Sequence, residues 1–125
     1  MNLQLAIAAL LSSTLAFAHS WLGERLILQP ILGLQDLPRL RGSRRGMQKI
    51  VRFAWHLTSL YFLAIAAILF YYSRGTFDAP VIRVIAITNF LSAILTAAVS
   101  RGRHYAWIVF LAIGILSWLS LGTRN

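Results

Sequence analysis

Four long apolar runs, joined by polar or basic links, constrain this chain more than any other feature. They occupy 3–18, 50–72, 79–99 and 105–121. A helix that spans a bilayer needs roughly 20 apolar residues, about 17 at the lower limit. In hydrocarbon each backbone N–H and C=O must be satisfied within its own segment, so runs of this length fold as helices. Hydrophobic residues are 58% of the chain, well above the roughly 45–50% of soluble domains. The expectation is one all-α domain over 1–125, an integral membrane four-helix bundle. Its helices are placed at about 3–22 (extending as far as 29), 50–72, 79–99 and 104–121, with a basic cytoplasmic loop at about 30–49.

The links predict orientation. Arg39, Arg41, Arg44, Arg45, Lys49 and Arg52 lie between the first two runs, and cations in short loops favour the cytoplasmic side. The second link carries only Arg74 and Asp78, while the third, Ser100-Arg101-Gly102-Arg103, is basic again. With Arg25 included, nine cationic residues face Arg74, Arg83 and Arg124 across the membrane. Both termini are therefore expected outside, N-out and C-out. The brevity of the third link makes helices three and four an antiparallel hairpin, with Gly102 able to adopt a left-handed turn. Pro30, Pro38, Gly33, Gly42 and Gly46 interrupt helix in the first link, so helix one is expected to stop near Gln29. Arg83 is placed to reach water and pair with Asp78.

The start of the chain imitates a secretory signal peptide, since Ala16-Phe17-Ala18 has the small-x-small form of a cleavage site. No Lys or Arg precedes the apolar run, so an uncleaved first helix is expected.

A net charge of +9 would suggest nucleic acid in a soluble protein. Here the cations flank apolar spans, and anionic lipid headgroups are the expected partner of Arg39, Arg41, Arg44, Arg45, Lys49 and Arg52, with no nucleic acid. The Arg41–Gly46 run lacks the GxxxxGK[ST] pattern of a nucleotide loop. Cysteine is absent, which excludes disulfides, thiolate ligands and cysteine nucleophiles. Small and polar residues recur at helical spacing in helix one (Gln4, Ala8, Ser12, Ala16, Ser20, with Gly23 alongside) and in helix three (Asn89, Ser92, Ala93, Thr96, Ala97, Ser100). In lipid, small residues mark helix contact faces.

The candidate site rests on His19, His56 and His104, one on each of three helices and all at the expected cytoplasmic end. Glu24 stands one turn beyond Ser20 on the same face. Ionisable groups in membrane segments usually face the bundle interior or a watery cavity. Three imidazoles and a carboxylate suit zinc, iron or copper, so His19, His56, His104 and Glu24 form an expected metal set. No HxxxH, HExxH or ExxH spacing accompanies them. Heme held by two of the three histidines is an alternative, with Trp55, Trp107 and Phe53 near the ring. The tryptophans at this boundary, Trp21, Trp55 and Trp107, are more simply read as interfacial anchors. Catalysis is a further reading, with His56 as general base, Glu24 as its carboxylate and Ser20 or Ser59 as hydroxyl. No GxSxG supports it, and Ser59, three residues from His56, can bond to its own helix.

The strings His19-Ser-Trp-Leu-Gly-Glu-Arg25, Phe53-Ala-Trp-His-Leu-Thr-Ser59 and Ser100-Arg-Gly-Arg-His-Tyr-Ala-Trp107 resemble those of small, uncharacterised bacterial multipass inner-membrane proteins. That resemblance implies a bacterial inner-membrane setting and carries no activity with it. Two functional classes stay open. One is a membrane protein with a histidine-centred metal or heme site near the cytoplasmic face, with or without catalysis. The other is a noncatalytic accessory or assembly subunit, in contact with a second copy or a partner in a membrane complex, whose histidines only hydrogen-bond.

Overall fold

A computed structural model describes every residue except Leu37, Arg41, Arg124 and Asn125. Among the described residues the fold is all-helical, with α1 (Leu3–Gly33), α2 (Arg44–Ser73), α3 (Ala79–Ser100) and α4 (Ala106–Gly122). The first three are long and apolar enough to cross a membrane, and α4 is a shorter apolar helix of 17 residues.

Two helices are longer than expected from hydropathy. α1 passes Gln29 and ends at Gly33 because Glu24–Leu28 adopt π geometry, in which the Gln29 N–H donates to the Glu24 carbonyl five residues back. Pro30 follows at once. Its ring would press on the carbonyl four residues earlier, that of Leu26, and a widened turn just before it moves that carbonyl aside. α2 begins at Arg44, not near 50, because the Ser43 hydroxyl caps it by accepting the Gly46 N–H at 3.1 Å. Much of the expected basic loop is therefore helix. The Arg44 guanidinium then donates to the Gly33 and Leu34 carbonyls at 2.9 and 2.5 Å, and Gln48 Nε2 donates to the Leu32 carbonyl at 2.8 Å. Those carbonyls end α1 without helical partners of their own, and a cation suits that negative end.

α1 is the hub of the packing. It lies against both α2 and α4, and α4 packs on α3. Its small-residue face is the contact face, with Ala8, Ser12, Ala16 and Gly23 buried, and the Ser12 hydroxyl donates to the Phe62 carbonyl of α2 at 3.0 Å. Small side chains let backbones approach and leave hydroxyls free to bridge helices. The second small-residue face is buried only in part: Asn89 and Ala93 are covered, while Thr96, Ala97 and Ser100 are half-exposed. α3 meets α4 where the Phe90 ring lies over Gly114, so closely that an added Cβ would stand 2.8 Å from it. The link between these helices takes two left-handed residues, Arg101 (φ +51°) and Gly102 (φ +75°), and the Gly102 N–H donates to the Ala97 carbonyl at 2.8 Å. Arg101 shares with Gly102 the left-handed geometry expected of the glycine.

One end of the bundle is closed. Leu5, Ala8, Ala9, Leu69, Ile82, Ile85 and Ile113, drawn from all four helices, form one buried cluster. The Asn2 N–H donates to the Ser73 carbonyl at 2.7 Å. Asp78 caps α3 by accepting the Val81 N–H at 3.1 Å; no Asp78–Arg83 ion pair forms among the described residues, because the carboxylate sits at the helix start. At the opposite end the helices part.

Candidate functional site

Near that parted end, α1 and α2 are joined by a reciprocal exchange of histidine and serine. His19 and Ser20 are adjacent on α1, while His56 and Ser59 lie one turn apart on α2. His19 Nδ1 and Ser59 Oγ share a hydrogen bond of 2.9 Å, and Ser20 Oγ and His56 Nδ1 share one of 2.8 Å. Each helix thus supplies one imidazole and one hydroxyl. Ser59, which its spacing allowed to bond within its own helix, instead reaches across.

Glu24 fixes the tautomer of His56. His56 Nε2 lies 3.3 Å from Glu24 Oε2, and an ionised carboxylate only accepts, so Nε2 carries the proton. In the neutral ring Nδ1 is then the acceptor, and the Ser20 hydroxyl donates to it. Arg52 holds the carboxylate from the other side, with a terminal guanidinium nitrogen 2.9 Å from Oε1 and Nε 3.0 Å from Oε2. This two-point fork sets the carboxylate plane. The resulting chain is Arg52, Glu24, His56, Ser20.

Trp55 seals the other side. Its Nε1 donates to the His19 carbonyl at 2.9 Å, and its ring stacks on the His19 imidazole with centroids 4.5 Å apart and planes inclined by 6°. The indole lies on Gly23, where any Cβ would stand 2.2 Å from Nε1. Glycine is required there by close approach. Trp55 therefore works as an interhelical clamp, which interfacial enrichment alone did not reveal; Gly23 one turn beyond His19 was the available signal. Trp21 behaves as expected of an interface residue, exposed and with the Arg25 guanidinium 4.9 Å from its ring centre.

His104 makes no hydrogen bond to this network, although it and His19 line the same cleft. It is exposed in the α3–α4 link, and its Nδ1 accepts the Ala106 N–H at 3.2 Å. Among the described residues, no group of three or more His, Asp or Glu side chains is placed to hold a metal ion, so the expected set of His19, His56, His104 and Glu24 does not assemble. The physical reason lies in the nitrogens. Both of those on His56 are engaged within the protein, and in the neutral His104 ring the remaining Nε2 bears a proton. A metal ligand needs a free lone pair, and among these three histidines the arrangement leaves at most that of His19 Nε2.

The cations divide similarly. Arg44 and Arg52 are held by α1, whereas Arg39, Arg45 and Lys49 are exposed. Arg41 lies outside the described residues, as does Arg124. Below Arg52, Lys49, Phe53, His56 and Leu60 line an open groove of about 460 Å³. No family model, curated protein or solved structure matches this chain.

Proposed function

We propose that the protein is a noncatalytic accessory subunit of a membrane complex, in which His19 and His56 hold α1 and α2 together. The observation that carries this reading is the self-sufficiency of the α1–α2 network: each hydroxyl, imidazole Nδ1 and carboxylate in it has a partner on the facing helix. Little is left for a substrate. The Ser20–His56–Glu24 chain resembles the relay of a serine hydrolase, but Ser20 lies within α1, where neighbouring N–H groups are bound up in the helix. Stabilising an acyl-transfer oxyanion requires free donors. A fluorophosphonate probe separates the two readings. No adduct at Ser20 is expected, and labelling that disappears in His56→Ala would replace the accessory reading with a hydrolytic one.

We further propose a bacterial inner-membrane protein that spans four times, with both termini outside and α3 and α4 an antiparallel hairpin. The charge bias of nine cations against three supports it. The native chain has no cysteine, so single replacements report cleanly. A cysteine at Ser43 is expected to resist an impermeant thiol reagent in intact cells, and one at Thr76 to react; the reverse pattern overturns the orientation. Retention of α1 is part of the same reading, because both α2 and α4 pack on it, and intact mass of the purified chain checks it.

A further inference from the structure

Where the helices part, a cleft of about 810 Å³ lies among Leu26 of α1, Phe62 of α2, Leu95 and Val99 of α3 and Phe110 of α4. We propose that this cleft binds one anionic phospholipid, with an acyl chain among those side chains and the phosphate held at the mouth by Arg103 and His104. This inference does not depend on the accessory reading.

The walls need an apolar occupant. Leu95 is 64% and Val99 79% exposed, yet both belong to a helix apolar enough to span the bilayer. The volume falls within the roughly 300–1,000 Å³ range of ligand pockets. In a bilayer, a side-opening groove of this kind meets hydrocarbon rather than water.

The mouth needs an anion. Arg103 and His104 line it, and no acidic side chain does. Of the three acidic residues, Glu24 is held by Arg52 and His56, Asp78 caps α3 at the far end, and Asp36 lies in the α1–α2 link. Because His104 Nδ1 accepts the Ala106 N–H, its neutral ring offers Nε2–H outward. Arg103 offers only donors. A guanidinium fork beside an imidazole N–H matches phosphate oxygens. Basic pockets between spanning helices on the cytoplasmic side bind anionic headgroups.

The depth also fits. His104 and Arg103 precede α4, and Phe110 follows its first residue, Ala106, by four. That places the wall about 6 Å below the start of α4, and so below the mouth, as an acyl chain lies below its phosphate. A second copy of this chain is a poorer occupant, since its own net charge of +9 would meet these cations.

Native mass spectrometry of the full chain in zwitterionic detergent tests the assignment, with phosphatidylglycerol and phosphatidylcholine of matched acyl chains as probes. The wild type is expected to retain one phosphatidylglycerol per chain in preference to phosphatidylcholine. Arg103→Gln is expected to weaken that retention about fivefold. Val99→Trp, which fills the cleft and leaves the mouth cations in place, is expected to reduce binding of both lipids. Both residues are exposed, so unchanged melting temperatures confirm folding. Inorganic phosphate and glycerol phosphate have no acyl chain and are expected not to compete. Equal retention of the two lipids, indifference to both substitutions, competition by free phosphate, or a stable lipid-free dimer would each overturn the proposal.

Discussion

The two ends of this bundle are held by different physics. At the closed end, aliphatic side chains from all four helices interlock around Leu5, Leu69, Ile82 and Ile113. At the other end, α1 and α2 are joined by named polar contacts, and α3 and α4 stand off to leave a cleft. In lipid, helices gain little from transferring apolar surface to one another, so association rests on close packing and interhelical hydrogen bonds. The closed end relies on the first and the α1–α2 clasp on the second. Packing is tolerant of small changes in angle, whereas the clasp needs a particular register.

The largest expected effect probes that register. Gly23→Ala would drive a Cβ into Trp55, and overpacking of this kind costs about 1–3 kcal/mol, here toward the upper value. Unfolding in mixed micelles measures it, and spin-label distances should widen between α1 and α2 near Trp55 while those near Leu69 stay fixed. Gly33→Ala, with nothing within 4 Å of the new Cβ, is the control; equal losses at both glycines would break the comparison.

Leu69→Ala tests the opposite end. The unfolded helix also sits in lipid, so mainly the cavity part of the usual loss applies, leaving about 2 kcal/mol, the low end for such truncations. High salt should not change this value. His56→Ala is expected to cost less, about 1 kcal/mol, since polar contacts between membrane helices average about 0.6 and reach about 1.7 kcal/mol. His56→Ala combined with Ser20→Ala should cost less than the sum of the two, because they share one hydrogen bond. Full additivity would mean that the clasp does not act as a pair. Arg45→Gln, at an exposed position, should change stability by under about 0.5 kcal/mol and serves as the baseline.

The helices were legible because apolar length alone specifies them in a membrane. Their ends were not. Residues 44–49 are mostly polar or basic, and only the Ser43 cap shows that α2 begins there. The small-residue face of α1 was readable from its spacing, as was the common depth of His19 and His56. Which serine meets which histidine depends on how two helices are rotated about their axes, and composition does not carry that angle. His104 was grouped with the other two by depth. Depth is one coordinate only: His104 shares a cleft with His19, but its Nδ1 is taken by the nearby Ala106 N–H.

The π segment Glu24–Leu28 has a consequence for changes in chain length. Along α1 the buried positions run Ala8, Ser12, Ala16, Gly23, then Leu28 and Leu32, a step of five residues from Gly23 to Leu28 where helical spacing would give three or four. A π turn accommodates one extra residue without rotating the helix on either side. Deleting a single exposed residue such as Leu26 would therefore keep the two flanks in their present rotation, while bringing a carbonyl back under the Pro30 ring. The same deletion in the middle of α1 would turn everything beyond it by about 100°. This one turn is where the hub helix can lose a residue without rotating one flank against the other.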